Sequence, residues 1–270
     1  MNSKIYKSSS SVLYISHGGG PLPLLGDGYH KELVANLKYI TTIIERPSAI
    51  IVISAHWEEL RPTITGGKNP QLIYDYYGFP KSSYEIEYPA PGNPKLANKI
   101  YEKLMNKGIE ANLDANRGFD HGLFVPLKIM YPAADIPCIQ VSLVRGLNPA
   151  EHIQIGNALS SMLDENVLIL GSGFSFHNLR ALLSQPTKDS QRMNESFEHW
   201  LVQTCSTHNL GEKEREYRLV NWEDAPAARY CHPREEHLLP LHVCFGAVNR
   251  AAKQVFRFEV MRRKASAYLW

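Results

Sequence analysis

Imidazole is well suited to chemistry at neutral pH, because it gains and loses a proton there and binds transition metals through a neutral nitrogen. The chain holds 11 histidines, and three of them stand at or beyond short apolar runs rich in β-branched residues. His17 follows the run 12–16, His56 follows 51–55, and His177 lies six positions past 167–171. In open α/β sheets ligands gather beyond the carboxyl ends of the strands. Parallel neighbouring strands would therefore bring these imidazoles to one rim, within reach of a shared ion. His237, in Pro233-Arg-Glu-Glu-His-Leu-Leu-Pro240, and His121, in Gly118-Phe-Asp-His-Gly122, are further candidates. A lone histidine at a strand end is more often a hydrogen-bonded loop residue than a ligand. Three at equivalent positions, with small residues beside each, favour a metal site.

The other histidines carry less. His30, His152, His199 and His208 fall on polar faces of helices or in loops and read as solvated, while His232 and His242 flank the His237 segment and are left unassigned.

Such a rim needs strands and crossovers. Residues 11–16, 49–54, 136–143 and 167–171 read as strands buried on both faces. Residues 29–44, 93–107, 150–163, 193–207 and 235–252 read as helices, two of them opening with an Asn-Pro start in which Asn93 or Asn148 caps the helix. Residues 255–260 read as a closing strand. This alternation predicts an α/β fold with a central, largely parallel sheet flanked by helices on both faces. The Gly- and Pro-rich segments 18–28, 77–80 and 89–94 are loops rather than linkers, and no repeat is visible. One domain over residues 1–270 is expected, with residues 1–10 a poorly ordered tail.

Composition excludes several classes. With 44% apolar and 21% charged residues among 270, the chain has the make-up of an ordinary globular protein. A net charge of +2 gives no support to nucleic-acid binding. No apolar run approaches membrane-spanning length. The four cysteines, Cys138, Cys205, Cys231 and Cys244, are widely spaced and read as reduced thiols of a cytoplasmic protein. The His17-Gly-Gly-Gly-Pro loop matches neither a phosphate loop nor G-x-G-x-x-G, and Gly171-Ser-Gly-Phe-Ser lacks the spacing of a nucleophile elbow.

Seven segments resemble, in order, the class III extradiol ring-cleaving dioxygenases, and most closely their LigB-like, 4,5-DOPA extradiol branch. They are Ser16-His-Gly-Gly-Gly-Pro21, Ser54-Ala-His-Trp57, Tyr77-Gly-Phe-Pro80, Tyr88-Pro-Ala-Pro-Gly92, Gly118-Phe-Asp-His-Gly122, Gly171-Ser-Gly-Phe-Ser-Phe-His-Asn178 and Glu236-His-Leu-Leu-Pro-Leu241. The resemblance spans roughly residues 12–245 and implies a mononuclear non-haem metal site. His17 and His56 match two metal ligands, and His237 matches the next histidine of the site. His177 matches a histidine that is either a further ligand or the base beside the metal, and His121 matches a substrate-side histidine. Some members complete the site with a glutamate. Glu236 and His237 stand together here, about 100° apart on a helix, and His237 is the first choice with Glu236 second. The His17 loop reads Gly-Gly-Gly-Pro where other members have Gly-Ser-Pro, and residues 185–229 match nothing assignable, which leaves the substrate open.

The resemblance implies Fe(II) in the active enzyme, with zinc plausible in the same nitrogens but unable to exchange electrons with O2. The partners implied are a catechol, DOPA-like or another, and O2, giving a muconic semialdehyde. His177 is the candidate base and His121 the candidate proton donor. Trp57, Phe79, Tyr88, Phe119 and Phe174 are interleaved with the histidine segments and could line the pocket or simply pack the core. Two rivals remain. A zinc hydrolase would use Glu58 or Glu236 beside the metal, although no H-E-x-x-H helix is present. A non-catalytic binding protein of the same fold has no need of five imidazoles.

Overall fold

A computed structural model describes residues 11–270, so the tail expected at 1–10 lies outside the described residues. The strands are β1 (Ser11–Ser16), β2 (Ala49–Glu59), β3 (Thr63–Thr65), β4 (Asn112–Asp114), β5 (Cys138–Val144), β6 (Val167–Gly173), β7 (Gln254–Val260) and β8 (Arg263–Leu269). The helices are α1 (Lys31–Ile43), α2 (Pro94–Asn106), α3 (His121–Met130), α4 (Pro149–Leu159), α5 (Leu179–Leu182), α6 (Lys188–Ser206), α7 (Glu212–Val220), α8 (Ala228–Cys231) and α9 (Leu239–Val248). All eight strands join one sheet in the order β4-β3-β5-β2-β6-β1-β8-β7.

The centre of the sheet is parallel. β6 lies between β1 and β2, and β2 also pairs with β5. These strands are largely apolar because both faces are covered. Residues 12–15 and 50–53 are buried throughout. Register then sets the rim. Ser16 pairs with Gly173 and Ser54 with Ser172, so β1, β6 and the part of β2 paired with β6 end level with one another.

Alternation along β6 shows what covers each face. A Cβ on Gly171 would stand 2.6 Å from the Pro240 carbonyl, and one on Gly173 would stand 2.0 Å from the His237 carbonyl. Glycine at these alternate positions lets α9 and its lead-in lie directly on the strand. Ser172, between them, turns its hydroxyl to the opposite face, where it donates to the carbonyl of Gly122 in α3.

Boundaries differ from the sequence reading where local signals were incomplete. β2 continues to Glu59, past a break in register in which Ser54 to Trp57 stand opposite Ser142, so His56 belongs to a bulged extension of the strand. The last long helix begins at Leu239 rather than Glu235, so Glu236 and His237 lie in turns, and their helical separation does not apply. Residues 121–130, to which the sequence reading assigned neither strand nor helix, form α3. The closing strand at 254–260 has an antiparallel partner, β8, which pairs onward to β1.

Candidate active site

His17 extends the β1–β6 ladder by one rung, its N–H donating to the Gly173 carbonyl at 3.0 Å. Its Nδ1 lies 3.0 Å from Ser172 Oγ. Because that hydroxyl already donates to Gly122, it accepts from His17, which places the ring proton on Nδ1 and leaves Nε2 bare. His17 Nε2 faces Nε2 of His56 at 2.9 Å. His237 is held likewise, its Nδ1 lying 2.8 Å from Glu236 Oε1. His17, His56 and His237 each bring a ring nitrogen to within 4.8 Å of the others.

The two remaining histidines flank this group. Beyond β6 the chain is pinned by Phe174 N–H donating to the His237 carbonyl at 3.0 Å and His177 N–H donating to Cys231 at 2.9 Å. This brings His177 against His237, and its Nδ1 lies 2.9 Å from the same Glu236 oxygen. His121 opens α3. Its ring centroid stands 3.9 Å from that of His56 and 5.4 Å from that of His17. Both its backbone N–H and its Nδ1 meet Asp75 Oδ1, at 3.0 and 2.8 Å, while Asp75 Oδ2 stands 3.6 Å from His56 Nδ1.

Electrostatics favour neutral imidazole. Burial, reinforced by the neighbouring histidines, holds His17 and His237 well below the ordinary 6.5, and it does the same for His56 against the opposing pull of Asp75. Burial works to raise Glu236 and Asp75, but it is outweighed by hydrogen bonds and charge interactions acting together, from His177 and Arg234 on the first and from His121 and His56 on the second, so both are held below the ordinary carboxylate range. Neutral imidazoles whose ring nitrogens meet, with the far nitrogen engaged by an acceptor in His17 and His237, are a donor set that can hold a divalent metal ion.

All five histidines singled out from sequence thus converge. Glu236, the second choice as a ligand, accepts hydrogen bonds from His177 and His237, and the three form a further group whose ligand atoms lie within 4.8 Å of one another. Two histidines read as solvated are not. His30 is buried, accepting from Gly19 N–H at 3.0 Å and facing Asp27, and His152 is buried, with Nδ1 on the Asn148 carbonyl and Nε2 accepting from Val144 N–H. His232 and His242 are buried too, bound to the carbonyls of Ser175 and Leu219. These four hold backbone or loop in place. His199 and His208 are exposed as expected.

Sequence reasoning missed Asp75 and the work of Asp120. The buried Asp120 carboxylate takes hydrogen bonds from Ser54, Gln140 and Arg117, tying the 118–122 segment to the β2 bulge. Burial pushes its carboxyl up, with the Asp75 charge adding to the rise. A carboxylate beside His121 in the motif was the available signal for Asp120, whereas Asp75 stands far away in the chain.

Beside His177 opens a cleft of about 480 Å³, walled by Asn178, Leu179, Arg180, Pro233, Arg234 and Glu236. The guanidinium of Arg234 is forked onto Glu58, with both contacts at 2.6 Å. None of the five interleaved aromatics walls this cleft. Trp57, Tyr88, Phe119 and Phe174 are core, and Phe79 packs against the Gly20 backbone. A larger depression of about 680 Å³, lined by Glu195, Glu198, Arg257 and Lys264, contains none of the five converging histidines. Among the described residues no helix is long and apolar enough to cross a membrane.

Comparison with known proteins places the chain in a family. Residues 13–268 match the family described as the catalytic LigB subunit of aromatic ring-opening dioxygenase. The chain is 40% identical to Dioxygenase tasH of Hapsidospora irregularis, over 90% of this chain and 79% of that protein. It is 37% identical to 4,5-DOPA dioxygenase extradiol of Beta vulgaris, over 90% of this chain and 88% of that one. The crystal structure of an uncharacterized protein from Escherichia coli K12 superposes with a TM-score of 0.76 at 27% identity, covering 96% of this chain and 98% of the other. With a family match over residues 13–268 and relatives 37–40% identical across 90% of its length, the chain belongs to the LigB family of aromatic ring-opening dioxygenases.

Proposed function

We propose that the protein is a cytoplasmic extradiol dioxygenase that opens the ring of a catechol with O2 to give a muconic semialdehyde. The observation that carries this reading is the meeting of ring nitrogens of His17, His56 and His237, with His121 and His177 on either side. When bound there, a divalent ion, Fe(II) by the need for electron exchange with O2, would couple the catechol electronically to oxygen.

The chain's own residues manage position and protons. His17, His56 and His237 hold the ion. His177, its Nδ1 engaged by Glu236, presents its other nitrogen as the base for a catechol hydroxyl. His121, its Nδ1 engaged by Asp75, takes up through Nε2 the proton of the catechol's other hydroxyl and returns it as the O–O bond breaks and the ring opens. Both atoms of O2 enter the product and the catechol supplies the electrons, so no external reductant is required. Arg180 walls the cleft beside His177 and has no ion pair among the described residues. It favours a catechol whose ring carries an acidic side chain, as DOPA does.

The test is anaerobic Fe(II) loading followed by oxygen uptake with DOPA, caffeate, protocatechuate and catechol. One O2 consumed per ring opened is the expected result. No uptake with any of the four ends the reading, and ester or amide hydrolysis without uptake by the zinc-loaded protein replaces it with the hydrolase.

A further inference from the structure

His121 heads α3, where the first backbone N–H groups of a helix lack partners within the helix. The residue placed to cap it, Asp120, makes no capping bond, because its carboxylate is engaged by Ser54, Gln140 and Arg117. The acceptor comes from elsewhere. Leu72 pairs with Phe119 in a short parallel bridge, with Phe119 N–H donating to Gln71 and Ile73 N–H donating to Phe119, each at 2.8 Å. Only a glycine at 118 permits this approach, since a Cβ there would stand 2.1 Å from the Gln71 carbonyl. The bridge delivers Asp75 to the head of α3. There one oxygen, Oδ1, accepts from the backbone N–H of His121 at 3.0 Å and from its ring Nδ1–H at 2.8 Å.

Two attachments to one oxygen fix more than one would. The backbone bond holds the Cα and the ring bond sets the rotation of the imidazole. A carboxylate accepts and cannot donate, so the ring proton is kept on Nδ1. Nε2 is left with no hydrogen-bond partner among the described residues, on a ring whose centroid is 3.9 Å from that of His56. We propose that Asp75 is a positioning residue for ring opening, fixing the rotation and tautomer of His121 so that Nε2 addresses the substrate. The inference rests on the function proposed above, in which His121 handles a proton.

The test compares Asp75→Ala and Asp75→Asn with the parent protein. Asn retains an acceptor oxygen for both donors, whereas Ala retains none. Three quantities are read: the metal content after anaerobic loading, kcat and KM for the catechol turned over fastest, and the protonated ring nitrogen of His121, from 15N–1H spectra of histidine-labelled, zinc-loaded protein. For Asp75→Ala the expected result is unchanged metal content, kcat lower by about 10- to 100-fold, KM within about twofold, and loss of the Nδ1–H signal. Asp75→Asn restores the signal and most of kcat. If the alanine variant does not fold, Asp75→Ser, too short to reach both donors, takes its place with the same expectations. Unchanged kcat and an unchanged Nδ1–H signal overturn the proposal, as does metal loss in proportion to activity, which would make Asp75 part of the ion's own coordination. Should the parent protein open no catechol, the functional reading fails by itself. The nitrogen spectra then decide the role of Asp75 alone, retention of the Nδ1–H signal in the alanine variant being the overturning result.

Discussion

The imidazole of His177 lies flat on that of His237, with centroids 3.3 Å apart and planes 18° from parallel, and both rings turn Nδ1 to a single oxygen of Glu236. One carboxylate thereby orients a residue assigned to the metal and a residue assigned to the substrate. Glu236→Gln keeps the shape but not the charge. Metal affinity is expected to fall by about 10- to 100-fold, read by competition with a chelator, and affinity equal to the parent's would show that the carboxylate does not support the ligand.

The neighbouring histidines are separable by the same kind of measurement. His17→Ala, His56→Ala and His237→Ala should each strip the ion, as read by elemental analysis. His177→Ala should keep it and lose turnover by about 10²- to 10⁴-fold. Loss of metal in the last variant would move His177 into the coordination sphere.

A glycine supports the His237 carbonyl. Gly173→Ala drives a methyl against that oxygen, which already accepts from Tyr14 and Phe174, and no side-chain rotation can relieve the clash. The expected cost is on the order of 1–3 kcal/mol of stability, with weaker metal binding. Gly211→Ala, which meets nothing, is the control. Equal melting temperatures for the two variants would contradict the packing described.

Stability of the metal-free protein should vary with pH in two opposing ways. Burial holds His152 down at about 4 and His232 at about 3, against an ordinary 6.5. From pH 6.5 downward the unfolded chain takes up protons that these folded residues refuse, so they cost stability as pH falls. Burial pushes Glu198 up to about 7 from an ordinary 4.5. The folded chain keeps that proton where the unfolded chain has released it, so Glu198 costs stability as pH rises from 4.5 through 7. Glu198→Gln should therefore gain more in melting temperature at pH 8 than at pH 4.5, by calorimetry. The same gain at both would refute a buried, protonated carboxyl.

Substrate charge should be read by Arg180. Arg180→Ala is expected to raise KM for protocatechuate and DOPA by about tenfold, the loss of one charge-assisted contact, while leaving unsubstituted catechol unaffected. A uniform change across substrates would argue against recognition of an acidic group.

Much of this site was legible in the sequence because its ligands follow apolar strand runs. His17 and His56 are announced by 12–16 and 51–55, and parallel pairing does the rest. Asp75 was not legible, since it lies in an aperiodic loop and meets His121 across 46 positions. The β8 strand was hidden for a local reason. Its hairpin turns at Met261 and Arg262, with φ of 50° and 62°, where Gly or Asn would ordinarily advertise the bend. His30 and His152 were misread because each satisfies its ring nitrogens inside the fold, which hydrophobic periodicity does not record.

The register that levels β1, β2 and β6 has a consequence for how such an enzyme can diversify. Of the groups assigned to the ion, His17 and His237 are buried and His56 is largely covered, whereas Leu179, Arg180 and Arg234, which border the cleft, are exposed. Substitutions there can retune which aromatic is admitted at little cost to folding, while the oxygen chemistry beneath passes unchanged from one specificity to the next.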